Sequence, residues 1–124
     1  MDFHDLDTFT RAYITAALWA SMDNADESGG KPLDANYGPE DLHPDALRDM
    51  VADCTRFQAT QQADLTRWGD DEQAGIDFWL TRNGHGAGFW DRGRGRLGER
   101  LTNAAHAQGE CHLVVGDDEK IHIL

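Results

Sequence analysis

Residues 77–92 have the sequence DFWLTRNGHGAGFWDR, in which aromatic residues lie on both sides of a central Asn-Gly pair. Asn83 and Gly84 are the residues that a two-residue type I′ turn requires, because both central positions of that turn have positive φ. We therefore predict a β-hairpin across this pair. If Arg82 pairs with His85 across the turn, Leu80 faces Ala87 on the side that packs against the core.

The opposite side of this predicted hairpin forms a shallow slot. Side chains alternate between the two faces of a strand, so Trp79 and Trp90 are expected on the face away from the core. Gly86 and Gly88 have no side chains and form the floor of the slot, with Asp77 beside it. A partly exposed tryptophan pair of this kind is typical of a binding surface.

A different interpretation of the same region is a helix over residues 71–82 that ends at Gly84. Glu72, Gln73 and Ala74 are good helix formers, and a glycine just beyond the last turn is a common way to end a helix. Both interpretations stay open at the level of sequence.

Apolar residues at three- and four-residue spacing predict helices over residues 7–22, 44–69 and 97–109. The polar, glycine-containing segment 23–32 predicts a flexible loop. These elements predict an α+β fold, with three helices packed on a small antiparallel sheet made of two hairpins. We expect residues 1–124 to form a single domain.

The second hairpin is predicted at the end of the chain. Cys111, Leu113 and Val115 alternate with polar residues, and so do Ile121 and Ile123. Both strands therefore direct odd-numbered residues inward, and a loop of three or five residues keeps these faces aligned.

Charge and cysteine content limit the partners and the compartment. The 124 residues include 23 acidic and 11 basic side chains, a net charge of −12, which argues against direct binding to nucleic acid. The chain has no apolar run long enough to cross a bilayer, and its acidic N-terminus is unlike a signal peptide. We expect a cytoplasmic protein in which Cys54 and Cys111 are buried free thiols.

The block at residues 77–92, with PLDANY at 32–37 and VGDD at 115–118, resembles a family of small acidic phage and prophage proteins. The resemblance covers most of the chain. It implies a phage or mobile-element protein inside a bacterial host cell. It supplies no function and no catalytic residue that can be carried over to this chain.

Candidate catalytic and metal sites are poorly supported by the residue pattern. His85 could form an acid–base pair with Asp77 or Asp91, but packing of this histidine on a neighbour is the simpler interpretation. His112 and His122 would share the outer face of the last hairpin, which gives two metal ligands where three or four are usual. The sequence therefore predicts no catalytic residue, no metal site and no cofactor.

Two functions remain. The first is an accessory interaction protein that binds a host or phage protein, for example as an acidic DNA mimic or a counter-defence factor, without contacting nucleic acid or membrane. Its acidic surface would include Asp23, Asp26, Glu27, Glu40, Asp41, Asp45, Asp49, Asp53 and Asp64. The second is a small-anion binding protein or an enzyme centred on the 82–92 segment. The candidate binding residues are Trp79, Arg82, Asn83, His85, Trp90, Asp91 and Arg92.

Overall fold

The computed structural model describes residues 2–23 and 30–124. Within these residues the chain forms five α-helices, namely α1 (Thr8–Ala20), α2 (Pro44–Thr60), α3 (Gln62–Trp68), α4 (Asp71–Arg82) and α5 (Gly95–Ala107). Short 3₁₀ turns lie at Phe3–Asp5, Leu33–Ala35, Pro39–Asp41 and Phe89–Asp91. Four strands complete the fold as two separate antiparallel pairs, β1 (Met22–Asp23) with β2 (Lys31–Pro32) and β3 (Leu113–Val115) with β4 (Ile121–Ile123).

Helices α1 and α4 form the centre of the molecule. Phe9 in α1 contacts Gly75 in α4, and one turn later Tyr13 contacts Phe78 and Trp79. Residue numbers therefore increase in the same direction along both helices, so the two helices run parallel. A Cβ at Gly75 would overlap the carbonyl oxygen of Phe9, which explains why a glycine stands inside this helix. The close approach places the aromatic rings of both helices in one core.

The predicted hairpin at residues 77–92 is wrong, and the helical interpretation is confirmed. Helix α4 begins after Asp70, whose carboxylate accepts a hydrogen bond from Gln73 N at 3.0 Å, and ends at Arg82. Gly84 has φ 69°, the left-handed conformation that commonly follows a helix end. A hairpin turn needs positive φ at the same residue, so the Asn-Gly pair could not distinguish the two structures.

The predicted continuous helix over residues 44–69 is divided in two. Gln61 leaves the helical conformation, with φ −112° and ψ 21°, and separates α2 from α3. The hydroxyl of Thr60 donates to the carbonyl oxygens of Arg56 and Phe57, a contact known to bend helices. Together with α4, this division gives five helices in the described part of the chain, where three were predicted.

The strands are peripheral and do not form the sheet on which the helices were expected to pack. The last hairpin is confirmed: Val115 pairs with Ile121 across a five-residue turn, Ile121 is buried and Val114 is exposed. Leu42 forms a single parallel bridge to Ile121, which ties this hairpin to the start of α2. Of the predicted loop 23–32, residues 23 and 31–32 pair as strands, and residues 24–29 lie outside the described residues.

The core is aromatic and lies between the helices. Phe57 stacks on Phe78 with ring centroids 4.1 Å apart, Phe9 packs against both of these rings, and Phe89 packs against Phe57. Among the described helices, none combines the length and apolar character needed to cross a membrane.

Candidate functional site

Arg82, the last residue of α4, is a buried cation at the junction of four segments. Its side chain is 4% exposed. Nη1 donates to Tyr13 Oη and to Asp53 Oδ2, both at 2.9 Å. Nε donates to Gly109 O at 2.8 Å and Nη2 to Gln108 O at 3.1 Å. The guanidinium therefore joins α1, α2 and the end of α5 to α4.

These contacts keep Arg82 charged and satisfy groups that would otherwise be unpaired. Burial lowers the pKa of a guanidinium, but Tyr13 and Asp53 raise the pKa of Arg82 above its usual value. The carbonyl oxygens of Gln108 and Gly109 follow the last turn of α5, where helical carbonyls have no partner within their own helix. Arg82 has a structural role at this position, and its donors already have acceptors.

Asn83 and Thr81 continue the same junction. Asn83 Oδ1 accepts a hydrogen bond from Cys111 N at 2.8 Å, and its Nδ2 donates to Trp79 O at 3.1 Å. Thr81 Oγ1 accepts a hydrogen bond from Phe89 N at 3.1 Å. The neighbouring residue 88 is a glycine, and a Cβ added there would overlap the Thr81 hydroxyl. Thr81, Arg82 and Asn83 thus hold the segments that follow α4 and α5 against the end of α4.

The turn that contains Trp90 is held by a bidentate ion pair. Arg92 Nη2 donates to Asp77 Oδ1 at 2.7 Å and Nε donates to Oδ2 at 3.2 Å. Asp77 is fully buried and also accepts from Gln73 Nε2 at 3.0 Å. The hydrogen bonds that Arg92 donates to the Asp77 carboxylate raise the pKa of Arg92. Asp77 is therefore occupied as a structural counter-ion, which removes it as the partner of His85 in acid–base chemistry.

The predicted slot between two tryptophans is wrong, because Trp79 is buried in helix α4 while Trp90 is exposed and lies in the 3₁₀ turn that follows it. Trp79 is 2% exposed and packs edge-on against Tyr13, whereas Trp90 is 53% exposed. Of the candidate residues, His85, Trp90 and Asp91 are exposed, and Arg92 is exposed in part. The structure therefore divides the predicted site into a buried junction and an exposed turn.

The acidic residues named from the sequence also fall into different environments. Asp23 is buried, Asp53 and Asp64 form ion pairs with arginines, and Asp41 accepts a hydrogen bond from Gly38 N. The exposed members of that set are Glu40, Asp45 and Asp49. Asp26 and Glu27 lie outside the described residues.

The two cysteines are free and buried, as predicted. Burial raises the pKa of Cys54 well above its usual value and raises the pKa of Cys111 as well. Because the thiolate is the reactive form, neither residue is suited to nucleophilic chemistry in the folded protein.

One cluster was missed from the sequence. His43, Asp118 and His122 each offer a ligand atom, and these atoms lie within 4.8 Å of one another. His43 is far from the other two in the chain, so no spacing motif marks the group. The sequence placed His122 only with His112, on the outer face of the hairpin, whereas the structure stacks His43 on His122.

The comparisons give no relative from which a role for these residues could be inferred. No protein-family model, curated protein or solved structure matches this chain.

Proposed function

We propose that this chain is a phage-encoded accessory protein that acts in the host cell by binding a basic surface of a host or phage protein. The observation that carries the proposal is the distribution of charge. Most of the acidic residues are exposed, while arginines at residues 48, 56, 82, 92 and 100 are paired with carboxylates of the same chain. Each ion pair cancels a cation and a carboxylate within the chain, so the excess of exposed carboxylates sets the outward field and attracts a basic partner.

An open groove near the N-terminus combines this charge with apolar contact area. It has a volume of about 840 Å³ and is lined in part by Phe3, Leu42 and Leu47. Asp2 and Glu40 also line it and are exposed, as does Arg48, whose charge is paired with Asp45. An apolar floor with carboxylates beside it suits a protein segment in which lysine or arginine alternates with apolar residues.

The alternative function, capture of a small anion by the 82–92 segment, has weaker support. An arginine clamp requires guanidinium donors that face the ligand. Arg82 and Arg92 instead donate to Asp53 and Asp77, so an anion would have to displace a carboxylate in each case. Displacement would leave a buried charge without its partner, which is strongly unfavourable.

The test begins with affinity capture from infected host lysate, followed by titration of the purified partner. Asp2→Asn combined with Glu40→Gln removes two charges from the groove. Glu99→Gln combined with Glu110→Gln removes the same charge from other exposed positions. We expect the groove variant to bind about 3- to 10-fold more weakly than the control variant, in line with the usual strength of exposed ion pairs.

Salt dependence provides the second readout. Binding should weaken as ionic strength rises, because exposed charges are screened. A partner that binds both variants equally well, and with an affinity independent of salt, would contradict the proposal.

A further inference from the structure

We propose that His43, Asp118 and His122 form a binding site for a divalent transition-metal ion of the zinc type. The proposal is independent of the proposed function. Two imidazoles and one carboxylate are a ligand set that zinc accepts, with a fourth position left for water or another ligand.

The three side chains come from separate segments that the backbone holds together. His43 N donates to Ile121 O at 2.9 Å, directly beside His122 in β4. Asp118 lies in the five-residue turn, where its Oδ1 accepts from Lys120 N at 3.0 Å. The backbone around the site is thus fixed without a bound ion.

The donor atoms are already close to a coordinating arrangement. His122 Nε2 lies 3.0 Å from each carboxylate oxygen of Asp118, and the rings of His43 and His122 stack with centroids 4.7 Å apart. Zinc–nitrogen bonds of about 2.0–2.1 Å place tetrahedral ligand atoms roughly 3.3 Å apart. The three ligand atoms lie within 4.8 Å of one another, so His43 has to move closer to the other two for one ion to bind all three.

Behind His122, the backbone comes very close to the ring. A Cβ at Gly116 would lie 2.8 Å from His122 Cδ2 and 2.9 Å from Asp118 Oδ1. A glycine at this point lets the turn approach both ligands, which limits their rotation on that side.

Asp45 is placed to support the ligand role of His43. In the structure His43 Nδ1 accepts a hydrogen bond from Asp45 N at 3.1 Å, and the Asp45 carboxylate lies 3.8 Å from the same nitrogen. Coordination through Nε2 moves the ring proton to Nδ1, so the hydrogen bond from Asp45 N is given up and Nδ1 has to donate instead. The exposed Asp45 carboxylate is the acceptor within reach, and such a carboxylate partner is usual for metal-bound histidine.

The charges around the cluster favour a cation. Asp117 and Glu119 flank Asp118 in the turn and Asp45 lies on the other side, so these carboxylates outnumber Lys120, the cation in the same turn. The nearby cation Arg48 is paired with Asp45. A bound ion would connect the start of α2 to the C-terminal hairpin, so metal binding should stabilise the fold.

The test uses Zn²⁺ alone, by isothermal titration calorimetry, and Co²⁺ as a spectroscopic probe. The full chain should bind one Zn²⁺ and give the visible absorption of tetrahedral Co²⁺. His122→Gln should weaken Zn²⁺ binding at least about 10-fold, and Asp45→Asn should weaken it about 10-fold or less. His112→Gln is the matched control, because it removes an exposed histidine from the same hairpin.

A shift in melting temperature separates loss of the site from loss of the fold. Zn²⁺ should raise the melting temperature of the full chain and of His112→Gln, but not that of His122→Gln or of Asp118→Asn, whose side chain is in an exposed turn. Equal Zn²⁺ affinity in His122→Gln and His112→Gln would overturn the proposal. So would the absence of a tetrahedral Co²⁺ spectrum in the full chain.

Discussion

Replacement of Arg82 by methionine tests whether this side chain holds the helices together. Methionine keeps most of the aliphatic length but removes every hydrogen bond that the guanidinium donates. The change leaves Tyr13 Oη, Asp53 Oδ2 and the carbonyl oxygens of Gln108 and Gly109 without this partner. Removing one member of a buried ion pair costs about 3–5 kcal/mol, which is a large part of the total stability of a small domain.

Urea denaturation followed by circular dichroism measures this loss as the change in the free energy of unfolding. Arg56→Met is the matched control. Arg56 donates to Asp53 Oδ1 at 2.7 Å, on the same carboxylate that Arg82 contacts, but its side chain is 55% exposed. The control should cost no more than about 1 kcal/mol. Equal losses in the two variants would refute the structural role assigned to Arg82.

Three further predictions follow from the same region and from the charge. Trp79→Ala should lower the free energy of unfolding by about 3–5 kcal/mol, whereas Trp90→Ala should change it by less than about 1 kcal/mol. Urea denaturation measures both, and equal losses of stability in the two variants would contradict the assigned burial. Gly88→Ala should cost about 1–3 kcal/mol through overlap with Thr81, and Gly86→Ala, which has open space around its Cβ position, should be nearly neutral in the same assay. A gel shift with double-stranded DNA at micromolar protein and physiological salt should show no complex, because the net charge is −12. Tight, salt-sensitive binding would show that the arginines outweigh the acidic residues in the interaction with DNA.

The candidate site was only partly predictable, because its residue types are the same in an exposed site and in a buried junction. Arg82, Asn83 and Arg92 are polar, so their sequence context suggested a binding surface. Their actual partners include Cys111 and the two residues that follow α5, more than 25 residues away in the chain. Local sequence contains no signal for such contacts. Both tryptophans were expected to be exposed, which is correct for Trp90 and wrong for Trp79.

Elements that depend on local periodicity were determined by the sequence itself. Helices α1 and α5 follow from apolar residues at helical spacing, and the last hairpin with its five-residue turn follows from the parity of Val115 and Ile121. The acidic charge is likewise a property of the composition alone.

Only the tertiary structure decided the conformation of residues 77–92. Gly84 can end a helix or form a hairpin turn at the same positive φ, so the choice depends on what the preceding residues pack against. A helix places Gly75 against the Phe9 carbonyl and buries Phe78 between α1 and α2, while it brings the Arg82 donors to their distant acceptors. The free energy of that burial and pairing comes from contacts between segments far apart in sequence, which no local pattern encodes.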